Sequence, residues 1–227
     1  MGRISKNMSL KPAIKAIIFD MDGVISDTQI IHAKTESELL KGYNIEIHPE
    51  EITRRYAGVS DQEMFKEIFN NAQREMPELN QLVEKKWKMM DKLVRGNVKE
   101  ISGTREFIGK SRVVGLPLAV GSASRLAFIE LVLAELDLRH KFNAIASAEE
   151  VKKGKPEPDL FLLAAKRLYV APENCVVVED GRSGMIAAKR AGMQCIGLVQ
   201  HEDDYYPADL LVKDLRNVPI EQYIKSV

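Results

Sequence analysis

The chain has 227 residues, 45% hydrophobic and 29% charged, with 33 basic and 33 acidic side chains and zero formal net charge. That length supports a well-buried core, either as one large domain or as a core with a smaller satellite. The balanced charge argues against nucleic-acid binding through a diffuse basic field.

Basic clusters such as VEKKWK (residues 83–88) are interleaved with acids and read as solvated helix faces. The two cysteines, Cys175 and Cys195, fall in apolar stretches and are expected as buried free thiols rather than a disulfide. The first residues, MGRISKNMSLKP, show no apolar signal segment, and no run approaches a membrane span. The expected setting is the cytoplasm.

In chain order, AIKAIIF (13–19) is the first strand, ending at Asp20. From Gln29 to about Asn97 only helical patterns occur. Met64, Phe65, Ile68, Phe69 and Ala72 share one helical face, and Leu79, Leu82, Val83, Met90, Leu93 and Val94 share another. This Met-rich stripe reads as the core of a helical bundle. LPLAVGSAS (116–124) is the second strand, after the punctuation of Gly115 and Pro117. A helix over 125–136 presents Leu126, Ile129, Val132, Leu133 and Leu136. Further strands follow at FNAIAS (142–147), CVVVED (175–180) and QCIGLV (194–199), with ADLLV (208–212) a weaker sixth, and DLFLLAAKRL (159–168) is helical.

Strand runs that are continuously apolar rather than alternating are covered on both faces, which implies an α/β fold with a parallel sheet wrapped by helices. An all-helical insert of roughly seventy residues interrupts this fold after the first strand. Ligands in such sheets bind beyond the carboxyl ends of the strands, so the insert emerges beside the site and can act as a lid.

The strand ends carry the chemistry. The first gives Asp20 and Asp22, the second Ser122 and Ser124, the loop after the third Lys155 in KKGKPEPD, and the fourth Glu179 and Asp180. Each feature alone is weak, since a lone ED after a strand is commonly a cap or a turn. Together, at successive strand ends, they form one inventory: clustered carboxylates, a fixed lysine, hydroxyls and glycine turns. Clustered carboxylates suit a hard divalent cation such as Mg²⁺, which is typically held by one or two of them plus phosphate and water. The cation also offsets their mutual repulsion. An ionised aspartate can attack phosphorus, a second can move the proton, and the lysine and hydroxyls can stabilise the transferring oxygens.

Four ordered segments, FDMDGVISDT, GSAS, GKPEPD and VVEDGRSGMIAAKRAGM, resemble the motifs of the haloacid dehalogenase superfamily. More narrowly, they resemble its branch with a helical cap after the first motif, which includes β-phosphoglucomutase and many small-metabolite phosphatases. The resemblance implies a Rossmann-like core over 13–28 and 98–227, a cap over 29–97, and a tail over 1–12. It implies Asp20 as nucleophile, Asp22 as general acid/base, and Ser122 with Lys155 holding the phosphoryl group. Mg²⁺ is then bound by the Asp20 carboxylate, the Asp22 backbone carbonyl, Glu179 and Asp180. Thr28, His32, Gly58, Ser60, Ala123 and Ser124 fall at hinge and substrate positions, and Asp27 serves the turn into the cap.

Three positions depart from the β-phosphoglucomutase pattern. The cap loop reads AGVSD (57–61), with Ala57 in place of a lysine and Asp61 in place of an arginine, and Leu126 stands where an asparagine is expected. Each change removes a group that would grip a distal phosphate. Arg54, Arg55 and Tyr56 could substitute, or could form a solvent-facing helix end. Gly181 replaces a common serine, which bears on how the metal ligands are oriented.

The expectation is a Mg²⁺-dependent phosphohydrolase that works through an aspartyl-phosphate. It acts on a small phosphorylated metabolite, a sugar phosphate by preference, as a monomer without nucleic acid or membrane. The alternative is a β-phosphoglucomutase-like phosphomutase.

Overall fold

The computed structural model describes residues 14–200 and 206–223; the tail expected over 1–12 lies outside the described residues. Strand β1 (Ala16–Phe19) is followed by helices α1 (Thr28–Lys41), α2 (Pro49–Tyr56), α3 (Asp61–Asn71) and α4 (Leu79–Val94). Then come α5 (Thr104–Val113), β2 (Leu118–Ser122), α6 (Leu126–Glu135), β3 (Ala144–Ser147), α7 (Asp159–Leu168), β4 (Cys175–Glu179), α8 (Arg182–Arg190), β5 (Gln194–Leu198) and β6 (Leu210–Val212). The strands form one parallel sheet in the order β3-β2-β1-β4-β5-β6. Among the described residues no helix is long and apolar enough to cross a membrane.

The period-two geometry of a strand explains why the runs are apolar throughout. Ile17 and Phe19 of β1 point to one face and pack with Phe107 of α5 and Phe128, Ile129 and Val132 of α6. Ala16 and Ile18 point to the other and pack with Leu160 and Phe161 of α7 and Met185 of α8. Each fully buried large side chain contributes about 2 kcal/mol relative to exposure. A charged residue at Ile18 would therefore remove a contact and strand a charge in the same step. Cys175 and Cys195 are buried free thiols, and burial pushes the Cys175 thiol up to about 12.

Strand order reverses at β1, which has β2 on one side and β4 on the other. At such a switch point the loops leaving neighbouring strands diverge and open a crevice at their carboxyl ends. Asp20, Ser122 and Glu179 stand at those three ends.

Helices α1–α4 enclose their own apolar cluster, built from Ala33, Leu40, Ile52, Phe65, Phe69 and Leu82 among others. Ser60 starts α3 by accepting the Glu63 N–H at 3.4 Å. The second half of α4 behaves differently from a plain bundle core: Trp87, Met90 and Val94 join the cluster under the sheet with Phe128. Helix α4 is thus packed against the sheet's own helices as well as against α1–α3. Two apolar positions do not join their stripes. Ala72 lies past the end of α3 and is exposed, and Leu93 is 47% exposed.

The two connections between core and cap run side by side. The Asp27 N–H donates to Lys99 O at 2.9 Å, and the Lys99 N–H donates to Asp27 Oδ1 at 3.0 Å. Thr104 Oγ1 closes the same junction on Val24 O at 2.7 Å.

Candidate active site

Asp20 follows β1 directly, with its backbone N–H bonded to Val178 O of β4 at 2.9 Å. Lys155, carried by the loop before α7, reaches across so that its Nζ donates to Asp20 Oδ1 at 2.7 Å and to Glu179 Oε1 at 2.6 Å. Asp180 completes the group: one carboxylate oxygen each from Asp20, Glu179 and Asp180 lie within 4.8 Å of one another. Burial pushes the Asp20 carboxyl up, and Glu179 and Asp22 add to the push. Lys155 pulls the other way and loses, leaving Asp20 at about 7. Burial, then Glu179 and Asp20, likewise raise Asp180 well above the carboxylate range.

Were all three carboxylates ionised, they would set three negative charges against one ammonium in a confined space, and the upward push on Asp20 and Asp180 expresses that repulsion. That is the donor set and the charge deficit that a divalent oxygen-seeking cation satisfies. The fit is tight. Gly23 has φ +86°, and a side-chain carbon there would lie 2.0 Å from Asp180 Oδ2, so only glycine leaves the carboxylate its place.

Asp22 has a different environment. Its Oδ2 accepts from Ser124 Oγ at 2.9 Å and from Ser122 Oγ at 3.3 Å. Its Oδ1 accepts from Thr28 Oγ1 and lies 3.4 Å from His32 Nε2. Burial alone would raise Asp22, but His32, Thr28 and Ser124 outweigh it and hold the carboxyl far below the usual range. Burial and the Lys86 charge oppose protonation of His32, yet Asp22 and Glu36 prevail and lift the imidazole to about 9. Two neighbouring aspartates are thus driven apart, one towards neutrality and one to a fixed charge, the pattern by which acid/base roles divide. His32 is wedged edge-on between the Trp87 and Phe128 rings, 5.5 Å from each.

The expected site residues therefore assemble, with differences in detail. Asp20, Lys155, Glu179 and Asp180 form one group; Asp22, Thr28, His32, Ser122 and Ser124 form a second beside it. Ser122 Oγ donates to Asp22 Oδ2 at 3.3 Å and accepts the Ser124 N–H at 3.0 Å. Gly58, Ala123 and Ser124 line the cavity. Ser60 does not line it, because its hydroxyl serves the start of α3. Arg54 and Arg55 are exposed, and Arg55 pairs with Glu51 and Glu67, while Tyr56 turns inward to line the cavity. Gly181 donates its N–H to Glu179 Oε2 at 2.6 Å, so backbone performs an orienting task there. A side-chain carbon at 181 would meet Ala57 O at 3.3 Å, and glycine lets the cap loop seat on the core.

One expectation is corrected. VEKKWK is not a wholly solvated face: Lys86 is 1% exposed, and its Nζ reaches Glu36 Oε1 at 2.6 Å and Asp61 Oδ1. It is buried because two carboxylates from α1 and α3 meet it, a tertiary pairing that offsets the cost of desolvation. Glu36, Lys86 and Gln29 line the cavity and were absent from the sequence-based set. The signal for Glu36 was its place one helical turn beyond His32, itself one turn beyond Thr28. From the core side, Arg125 reaches over to Asp91 of α4 at 2.6 Å and stacks 5.0 Å from the Trp87 ring, holding cap to core.

Between helices α1–α4 and the strand ends lies a narrow cleft, with Asp20 and Asp22 contributed from the sheet side and Glu36, Asp61 and Lys86 from the helices.

Known proteins resemble this chain in sequence and in fold. Hexitol phosphatase B of Escherichia coli (strain K12) is 31% identical over 217 residues, covering 92% of this chain and 96% of that protein. The β-phosphoglucomutase of Bacillus subtilis (strain 168) is 30% identical over 214 residues, 92% and 93% of the two chains. The crystal structure of β-phosphoglucomutase from Clostridium difficile superposes with a TM-score of 0.84 at 29% identity, over 92% of this chain and 95% of that one. The sequence model for haloacid dehalogenase-like hydrolases matches residues 17–198, and the chain belongs to that family.

Proposed function

We propose that the protein is a Mg²⁺-dependent phosphatase that hydrolyses a small phosphate monoester, a sugar phosphate, through an aspartyl-phosphate on Asp20. The observation that carries this reading is the buried Asp20 carboxylate, 2.7 Å from Lys155 and grouped with Glu179 and Asp180. In this reading residues 13–28 and 98–227 are the core and 29–97 the cap. The two buried thiols fit a reducing compartment, the cytoplasm.

Mg²⁺ would be held by the carboxylates of Asp20, Glu179 and Asp180 with the Asp22 backbone carbonyl. When bound it would neutralise their surplus charge and that of the phosphoryl oxygens. With the repulsion offset, Asp20 is ionised at neutral pH and attacks phosphorus as the bond to the leaving oxygen breaks. Lys155 stabilises charge on the transferring oxygens while keeping Asp20 aimed. Asp22 delivers a proton to the leaving oxygen, with the protonated His32 beside it as the source. Asp22 then takes a proton from the water that attacks the aspartyl-phosphate and passes it back to His32, while phosphate leaves and Asp20, Asp22 and His32 return to their starting states. Thr28, Ser122 and Ser124 hold Asp22 in place. Closure of the cap keeps bulk water out.

A phosphomutase is the second reading, favoured by the likeness to β-phosphoglucomutases. It needs a grip on a second phosphate at the cap wall. That wall carries Asp61 and Glu36 against one lysine, a net negative charge that repels phosphate. Phosphate release from a panel of sugar phosphates with Mg²⁺, by the wild type and by Asp20→Asn, tests the proposal. Continuous release that the substitution abolishes supports it. Retained release in Asp20→Asn, or bisphosphate-primed isomerisation with little free phosphate, overturns it.

A further inference from the structure

Helix α1 carries Thr28, His32 and Glu36 along one face, each one helical turn from the next. Thr28 Oγ1 donates to Asp22 Oδ1, and His32 places its Nε2 3.4 Å from the same oxygen and 3.5 Å from Ser124 Oγ. The other side of the ring belongs to Glu36, whose Oε1 lies 3.8 Å from His32 Nδ1. The imidazole therefore sits between two carboxylates, one at each nitrogen. Glu36 is only 5% exposed, and Oε1 also accepts from Lys86 Nζ at 2.6 Å. Lys86 is paired with Asp61 as well, so it does not need Glu36 to escape being a lone buried charge. A second buried carboxylate is costly, and what it adds is its place beside His32.

We propose that Glu36 is a positioning residue for the acid/base step, holding the His32 ring with Nε2 aimed at Asp22. The inference rests on the phosphatase reading above and deepens it.

The ring needs such a hold. The outer torsion of a histidine side chain is broad and roughly two-fold, and half a turn would set a carbon against Asp22 in place of Nε2. Trp87 and Phe128, edge-on at 5.5 Å, restrict the tilt of the ring but offer apolar surface to either orientation. A negative charge beside Nδ1 distinguishes the two, because it favours an N–H over a C–H at that place. Asp22 cannot do this alone, since its own charge changes as it gives and takes the proton. Glu36 keeps its charge throughout: burial opposes ionisation, but Lys86 and His32 outweigh it and lower the carboxyl to about 2. A proton-transfer group oriented by a third side chain follows the general logic of catalytic triads, here in the order Asp22, His32, Glu36. The proton that leaves Nε2 passes through Asp22 to the leaving oxygen. Nδ1 keeps its hydrogen, directed at Glu36, and the attacking water returns a proton to Nε2 through Asp22.

The test separates leaving groups. A p-nitrophenolate departs without a proton, whereas an alkoxide requires one, so a fault in proton delivery falls on alcohol esters. The quantity measured is kcat/KM with Mg²⁺, which reports the steps up to phosphoryl transfer, for p-nitrobenzyl phosphate, glucose 6-phosphate and p-nitrophenyl phosphate. Glu36→Met leaves Lys86 its Asp61 partner. It should lower the ratio of each alcohol ester to p-nitrophenyl phosphate by roughly tenfold or more, a share of the about 10²–10⁴-fold that positioned proton transfer supplies. His32→Gln should lower the ratio at least as far, and adding Glu36→Met to His32→Gln should change it no further, because the two side chains act as one. The ratio is taken within one preparation, so a partly folded variant does not disturb it. A ratio unchanged in Glu36→Met would make Glu36 a brace for Lys86 and overturn the inference alone. A full further loss in the double variant would overturn it too, since Glu36 would then act without His32. No phosphate from any of the three esters with the wild type overturns the phosphatase reading and the inference with it.

Discussion

Lys155 Nζ lies 2.6 Å from Glu179 Oε1, and both side chains are fully buried. The same ammonium bridges to Asp20 at 2.7 Å, so a residue from a loop between β3 and α7 joins the carboxyl ends of β1 and β4. Removing one partner of a buried ion pair leaves an uncompensated charge, at about 3–5 kcal/mol. Lys155→Met should therefore lower the free energy of unfolding by about that amount near neutral pH, and by less in acid, where the orphaned carboxylates bind protons. Denaturant titration at both pH values checks this. Equal stability of variant and wild type near neutrality would mean the bridge holds nothing.

Gly23→Ala should disturb the metal site in particular. The added carbon overlaps Asp180 at a backbone with φ +86°, so the carboxylate must move out of the cluster. Calorimetric titration should show Mg²⁺ affinity reduced by roughly tenfold or more, the range seen when the support of a ligand is lost. Unchanged affinity would remove Asp180 from the ligand set.

His32 is expected to stay protonated through neutral pH, with its ring titrating at about 9. Its folded value lies above the unfolded one of about 6.5. The stability it contributes is therefore complete below about 6.5, falls as pH rises between the two values, and is gone above about 9. Ring-proton chemical shifts followed against pH in the metal-free protein report it directly. A midpoint at or below 6.5 would contradict the pairing with Asp22.

The architecture was largely legible because strand boundaries and chemistry coincide. Each buried apolar run stops where a polar side chain begins, at Asp20, Ser122 and Glu179, and a parallel sheet brings those ends together. The helical stretch between β1 and α5 was legible from the period of Met64, Phe65, Ile68 and Phe69. What escaped depends on contacts that no local pattern encodes. Lys86 sits in a run that looks solvated, and only Asp61 and Glu36, 25 and 50 positions earlier, bury it. Trp87 and Met90 belong to α4, but they pack in the apolar cluster under the sheet with Phe128, far along the chain. The hydrogen bond from Ser122 Oγ to Asp22 Oδ2, between positions a hundred residues apart, is likewise a contact that no local pattern encodes.

In the proposed reaction Asp20 carries the phosphoryl group during turnover. Acid quenching of the wild-type protein at work on a sugar phosphate, followed by mass spectrometry of the peptide containing Asp20, tests this most directly. The expected result is a phosphoryl mass gain localised to Asp20 that disappears in Asp20→Asn. Turnover with no phosphoryl group on Asp20 at any quench time, or with the group on another residue, would contradict it.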